Sequence, residues 1–241
     1  MNSSELKGFL TGLMFGDGYI DKGITKRSFR IKTIHQDFAK QIKENFDNCN
    51  VFITSVSYHK GYTKNNVNHK DWYEVFVKAH PYFAKKYHHF YDDYKNRIAS
   101  KESLNWLTPM GLAYWYMSDG YICLVGKTKG FIRDRRVDIC TDRYNLETIN
   151  FLIDMLYNNF NIKCSLIKRD KFYHIRIKRE SYLTFYNLIF PYVDNIPSMR
   201  YKLYFGFNNK PEWMTEEMWN YQNKLKSATA LTNNVEGKDV V

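Results

Sequence analysis

The tetrapeptide Asp-Gly-Tyr-Ile occurs twice, at 17–20 and again at 119–122, 102 residues further on. Each copy ends an apolar, helix-like run. The first run is Phe9-Leu10-Thr11-Gly12-Leu13-Met14-Phe15-Gly16, and the second is Gly111-Leu112-Ala113-Tyr114-Trp115-Tyr116-Met117-Ser118. Two further matches follow in the same order. Asn48-Cys49-Asn50-Val51 parallels Asn159-Phe160-Asn161-Ile162, and Trp72-Tyr73-Glu74-Val75-Phe76-Val77-Lys78 parallels Phe172-Tyr173-His174-Ile175-Arg176-Ile177-Lys178. Ordered self-similarity at one spacing is the mark of a duplicated unit, and it constrains the fold more than any other feature. It divides the chain into halves 1–100 and 101–208, joined at the polar stretch 100–103. Residues 209–241 form a C-terminal extension whose polar end reads as a frayed tail.

Hydrophobic periodicity gives the same plan in both halves. In half one, a helix ending at Asp17 precedes a strand with Phe29, Ile31 and Thr33 on one side and Arg30 and Lys32 on the other. A helix over about 36–46, strands near 51–58 and 71–78, and a helix over about 81–94 complete the unit. Half two repeats the plan with a strand near 135–141, a helix over 145–160, strands over 162–169 and 172–179 and a helix over 182–192. The fold class is therefore α+β, with two pseudo-symmetric αββαββα halves.

No apolar run approaches the length of a membrane span, and the N-terminal residues carry no secretory pattern. Cys49, Cys123, Cys140 and Cys164 include no C-x-x-C pair, so the spacing predicts neither a zinc site nor a disulfide framework. An intracellular, reducing compartment suits them. Lys and Arg number 36 against 25 Asp and Glu, a net charge of +11, so a polyanion is the partner expected; charge alone does not separate nucleic acid from a ribosome or an anionic membrane surface. Twenty Tyr and 17 Phe accompany that charge, and their helical or strand spacing assigns most of the rings to the core.

Gly8, Gly12 and Gly16 recur every four residues and line one face of the first helix. Interior glycine costs a helix roughly 1 kcal/mol per residue against alanine, so a glycine stripe implies close approach of another backbone. Gly16 and Ser118 are both small and both precede a repeated Asp. The two apolar helices are thus expected to pack together near their C-terminal ends, with Asp17 and Asp119 side by side. Helix C-termini add exposed carbonyls and partial negative charge, so the combined site seeks a cation. Carboxylate and carbonyl ligands favour a hard ion, Mg²⁺ or Mn²⁺, and in a basic protein the matching substrate is a phosphodiester.

The stretches 10–18 and 112–120, with the lead-in Leu107-Thr108-Pro109-Met110 and the later Tyr186-Asn187-Leu188-Ile189 and Tyr201-Lys202-Leu203, resemble the LAGLIDADG homing endonucleases of the single-chain, two-motif type. The resemblance covers about residues 5–205. It implies that each half presents a curved antiparallel sheet as half of a DNA-binding saddle, with the motif helices at the interface between halves. The activity it implies is site-specific cleavage of both DNA strands with short 3′ overhangs, dependent on divalent metal and serving intron homing. Carried over by position, Asp17 and Asp119 become the catalytic, metal-binding carboxylates, with the carbonyls of Gly16 and Ser118 as supporting ligands. The family also places a basic residue near each scissile phosphate. Lys202 matches in half two; in half one Lys95, within Tyr94-Lys95-Asn96, is the choice and Arg97 the runner-up.

Strand alternation assigns the DNA-reading side chains. Arg30, Lys32 and Lys78 in half one, and His174, Arg176 and Lys178 in half two, oppose the apolar faces. A β-ribbon fits the major groove, where Arg and Lys pair with guanine. Lys60 and Lys64, and Arg133, Arg135 and Arg136 of the run 127–136, are expected to meet phosphates or flanking bases. The partner expected is double-stranded DNA, bound by a monomer. Two alternatives share the fold: an RNA-binding intron maturase, and a DNA-binding regulator without catalysis. Retention of both acids favours cleavage.

Overall fold

The computed structural model describes residues 1–64, 67–128, 131–203 and positions 210, 216, 219 and 220; for Lys64 and residues 124–128 and 131–135 the description is of the backbone alone. Half one begins with helix α1 (Ser3–Phe15), capped by Asn2 and Glu5 in a reciprocal capping box. Strands β1 (Tyr19–Ile20) and β2 (Arg27–Thr33), helix α2 (Gln36–Asp47) and strand β3 (Thr54–His59) follow. A small hairpin, β4 (Thr63–Lys64) and β5 (Val67–Asn68), leads to β6 (Trp72–His80) and α3 (Pro81–Lys86). Half two runs through α4 (Lys101–Trp106), α5 (Pro109–Asp119), β7 (Gly120–Thr128), β8 (Phe131–Ile139), α6 (Leu146–Phe160), β9 (Cys164–Arg169), β10 (Phe172–Ile177) and α7 (Tyr182–Val193).

The duplication read from the sequence is present in the sheets. Each half holds a four-stranded antiparallel sheet, ordered β1-β2-β6-β3 in one and β7-β8-β10-β9 in the other. The registers correspond: Ile31 pairs with Val75 and Ile139 with Ile175. Alternation behaves as expected. Phe29, Ile31, Val75, Val77, Ile139, Ile175 and Ile177 are buried against the helices, whereas Arg30, Lys32 and Lys78 are exposed on the opposite face.

Two expectations are corrected. The helix over 81–94 stops at Lys86, continues as a 3₁₀ turn (Tyr87–His89), and gives way to a Tyr91–Arg97 bridge. Past that turn Asp92 holds the chain in a tight loop, its carboxylate taking the Asn96 backbone N–H at 2.7 Å and its carbonyl the Lys95 N–H at 3.0 Å. Such local bonds compete with a helix. The polar join at 100–103 is the start of helix α4, which Ser100 caps by accepting from Ser103 N–H.

The core runs through both halves without a break. At its centre α1 and α5 are buried on nearly all sides, as helices apolar all round must be. Phe9 meets Tyr114 edge-on at 4.8 Å between ring centroids, and Phe15 meets Trp115 at 5.5 Å. Thr108 caps α5 and Pro109 occupies its first turn.

Candidate active site

The glycine stripe does what its spacing implies. A Cβ at Gly12 would overlap the Gly111 carbonyl, and one at Gly16 would lie 2.5 Å from Ser118 Cβ. Gly111 answers it from the other helix, where an added Cβ would overlap the Gly8 carbonyl. Backbone-to-backbone packing brings the ends of α1 and α5 together, so Asp17 and Asp119 feel each other's charge. Burial first, and Asp17 second, push the Asp119 carboxyl up to about 7; Arg143, Lys202 and Arg97 pull it back.

Three cations surround the two acids, each holding carbonyls at a helix end. Lys202 is 6% exposed. Its Nζ donates to the Tyr116 carbonyl at 3.3 Å, to the Met117 carbonyl, and to the Ser118 carbonyl at 3.5 Å. Burial lowers its pKa to about 8, against the raising effect of Asp119 and Asp17. Arg97 serves α1 in the same way, donating to the Met14 carbonyl at 2.6 Å and to the Gly18 carbonyl. Lys95 is exposed, at a left-handed backbone position (φ 67°) in the loop before Arg97.

The third cation crosses between halves. Arg143, from the corner after β8, donates to Asp17 Oδ1 at 2.7 Å and to the Gly16 carbonyl at 3.2 Å. Its neighbour Tyr144 donates to the Phe15 carbonyl at 3.3 Å. The sheet registers set His35 of half one opposite Arg143 of half two in the duplication. The two acids therefore sit in unlike surroundings. Sequence comparison of the halves missed Arg143 for this reason: the repeat offers no second copy of it.

The donors here are all hard oxygens, two carboxylates and the carbonyls of Gly16 and Ser118, and both carbonyls already accept from cationic side chains. That set fits Mg²⁺ or Mn²⁺ and is unsuited to a soft ion. A groove of about 620 Å³ lined by Asp17, Arg30, Lys32, Glu74 and Arg143 opens on one side of Asp17. A second, of about 280 Å³, lies between Asp17, Lys32, His35, Ser118 and Lys202.

The sheet faces carry the other expected residues. Arg30 lies 3.8 Å from Glu74 and over the Phe76 ring, and Lys32 lies 4.4 Å from the Trp72 centroid. Lys60, Lys78 and Lys178 are exposed and Arg136 half-buried. In half two Arg176 is committed inward, holding the fully buried Asp138 through bonds of 2.7 and 2.8 Å. His174 is likewise engaged, by Tyr121 at 2.9 Å and Asp142 at 2.6 Å. The side chains of Lys64, Arg133 and Arg135, and nearly all of 209–241, lie outside the described residues.

Comparisons with known proteins agree on one family. Residues 7–185 match the sequence model of the LAGLIDADG DNA endonuclease family. A probable intron-encoded endonuclease of Wickerhamomyces canadensis is 29% identical over 199 residues, covering 82% of this chain and 83% of its own. The cytochrome b mRNA maturase bI2 of Saccharomyces cerevisiae is 26% identical over 212 residues, covering 80% of this chain and 45% of the maturase. Among solved structures, the homing endonuclease I-WcaI bound to its DNA recognition sequence superposes with a TM-score of 0.73 at 25% identity, over 85% of this chain and 88% of that one.

Proposed function

The chain belongs to the LAGLIDADG DNA endonuclease family, and on that premise we propose that it cuts both strands of a long asymmetric DNA site by metal-dependent hydrolysis, leaving short 3′ overhangs. The observation that carries the reading is the pairing of Asp17 and Asp119 at one end of two helices in backbone contact, with Asp119 raised to about 7. Two acids so placed are costly without a cation between them. Mg²⁺ or Mn²⁺ bound there supplies Lewis-acid activation of water and charge neutralisation at the phosphate.

This chain's own residues do the rest. Asp17 and Asp119 would hold the ion, supported by the Gly16 and Ser118 carbonyls. Lys202 and Arg97 keep the helix ends in place and set positive charge beside each scissile phosphate. Arg97 takes the role in half one that the sequence assigned to Lys95, because its guanidinium, not the Lys95 ammonium, reaches the end of α1. Lys202 Nζ, with its pKa lowered to about 8, can give or take a proton near neutral pH. Arg143 sets its positive charge against Asp17, on the side where a phosphate would approach. The exposed Arg30, Lys32, Lys60, Lys78 and Lys178 follow the DNA; the chain acts as a monomer, one chain supplying both acids.

The test is a cleavage selection: the protein with Mg²⁺ and a library built around intron insertion sites, with the cut ends sequenced. Discrete ends at one long sequence, absent with the Asp17→Asn/Asp119→Asn double variant, are expected; unimpaired cutting by that variant overturns the metal-site assignment. Similarity to an mRNA maturase favours intron RNA as a second ligand. Salt-sensitive RNA binding that survives the double substitution would identify that activity.

A further inference from the structure

A second group of metal-ligating side chains lies in half two, and the sheet register puts it there. Ile139 of β8 pairs with Ile175 of β10 in antiparallel register, so Cys140 comes opposite His174. Beyond the end of β8 the chain turns, and that turn brings the Asp142 carboxylate within 2.6 Å of His174 Nε2. The Cys140 Sγ, an Asp142 carboxylate oxygen and a His174 ring nitrogen all lie within 4.8 Å of one another. Half one holds a different trio at the matching positions: Lys32, Ile34 and Glu74, with Lys32 paired to Glu74 in the ladder. The ligand set therefore belongs to half two alone.

We propose that Cys140, Asp142 and His174 form a site for a thiolate-seeking divalent ion, Zn²⁺ above all, distinct from the hard-ion site between Asp17 and Asp119. Three features support it beyond proximity. Zinc takes cysteine, histidine and carboxylate at about 2.0–2.3 Å, and three protein ligands with an open fourth position is an established arrangement. Thiolate and imidazole together select against Mg²⁺. The Tyr121 hydroxyl holds His174 Nδ1 at 2.9 Å, leaving Nε2 directed at Asp142 at 2.6 Å. A ligating histidine almost always has such a partner on its other nitrogen. Access exists through a cavity of about 140 Å³ that Cys140 and Asp142 share with Asp119 and Arg143.

The protons balance simply. A cysteine thiol carries one proton on Sγ and must give it up to bind a metal, because the thiolate is the ligand. On binding, Sγ loses that proton to solvent and forms the S–Zn bond. With Nε2 as the ligand, the neutral His174 ring carries its proton on Nδ1, where the Tyr121 oxygen accepts it. The Asp142 carboxylate, beside Nε2 in the ion-free chain, turns to the ion. The bound ion ties β8 to β10 at the corner carrying Arg143, which reaches Asp17, and Cys140, whose N–H donates to the Asp119 carbonyl at 2.9 Å.

Cobalt(II) reports this site directly and independently of cleavage. The full chain, reduced and in excess Mg²⁺ to fill the hard-ion site, is titrated with Co²⁺. One equivalent should produce the thiolate-to-cobalt charge-transfer band and the visible bands of a four-coordinate ion, both abolished by Zn²⁺. Cys140→Ser should remove the charge-transfer band; Asp142→Asn and His174→Gln should each weaken binding at least about tenfold, and Tyr121→Phe about tenfold. Cys49→Ser, Cys123→Ser and Cys164→Ser should leave the band intact. Circular dichroism of each ion-free variant checks its fold, and the Asp142 and Tyr121 variants carry the test if Cys140→Ser misfolds. Absence of a thiolate band overturns the proposal, as does a band that survives Cys140→Ser. A band lost in Cys140→Ser but indifferent to both Asp142→Asn and His174→Gln marks a lone thiol and overturns it too. None of these outcomes depends on whether the chain cleaves DNA.

Discussion

At the scale of single residues, Asp119 and Arg143 make the clearest predictions. Asp119 keeps its proton in the folded protein up to about pH 7, whereas an unfolded aspartate loses it near 4. Between those values the folded state binds more protons, so stability falls as pH rises, and the whole penalty is present above pH 7. Asp119→Asn removes the penalty. Its melting temperature should exceed that of the unsubstituted protein by several degrees at pH 8 and match it at pH 4, measured without divalent metal. Equal shifts at both values would show that Asp119 is not held protonated. Arg143→Gln removes the positive charge resting on Asp17. Calorimetric titration with Mn²⁺ in the absence of DNA should then show several-fold tighter binding, together with slower cleavage. Weaker binding would mean that Arg143 orients the carboxylate for the ion instead of standing in its place. Lys202→Ala should lower the cleavage rate more than the DNA affinity, a pure affinity loss marking a phosphate contact only.

At the scale of elements, the α1–α5 contact and the β8–β10 ladder hold the molecule together in different ways. The helices meet through glycine, so there is no side chain to yield. Gly12→Ala should destabilise by about 1–3 kcal/mol, as overpacking does, and cost cleavage as the two acids are forced apart. Lys40→Ala, at an exposed position of α2, should stay within about 0.5 kcal/mol. Thermal or urea unfolding of the two variants checks this. In the ladder, Arg176 and Arg169 share the fully buried Asp138. Removing Arg176 strands much of that charge, so a fall in stability should accompany any loss of DNA binding. The elements were largely legible in advance because period-two and period-3.6 patterns are local. Phe29, Ile31, Val75 and Val77 announced their strands, and Gly8, Gly12 and Gly16 announced a helix contact. The last helix of half one is shorter than its apolar pattern implies: the rings of Tyr87, Phe90 and Tyr91 continue to pack beyond Lys86, and an apolar pattern does not record that they do so from a 3₁₀ turn and a loop.

At the scale of the whole molecule, the net charge of +11 sets long-range attraction to DNA, and the two halves on one chain are similar but not identical. Affinity should fall linearly with the logarithm of salt concentration, and neutralising one exposed contact such as Lys32 should lower that slope by about one. An unchanged slope in Lys32→Ala would remove that residue from the phosphate track.

The sequence by itself determined the duplication, the α+β class, the helix pair and the two acids, because each is written in a repeat or a short period along the chain. Only the tertiary structure decided what surrounds the acids. Arg143 meets Asp17 across 126 positions of sequence, Lys202 meets the end of α5 across 84 to 86, and Arg97, not Lys95, meets the end of α1. Cys140, Asp142 and His174 follow no ligand spacing, and the spacing of the cysteines argued against zinc. They converge because β8 and β10 pair in one particular register, and a single-residue slip would send alternate side chains to the other face. Spacing along a chain carries information about neighbours on one helix or strand; which strands pair, and where their ends meet, is settled by burial of the shared core.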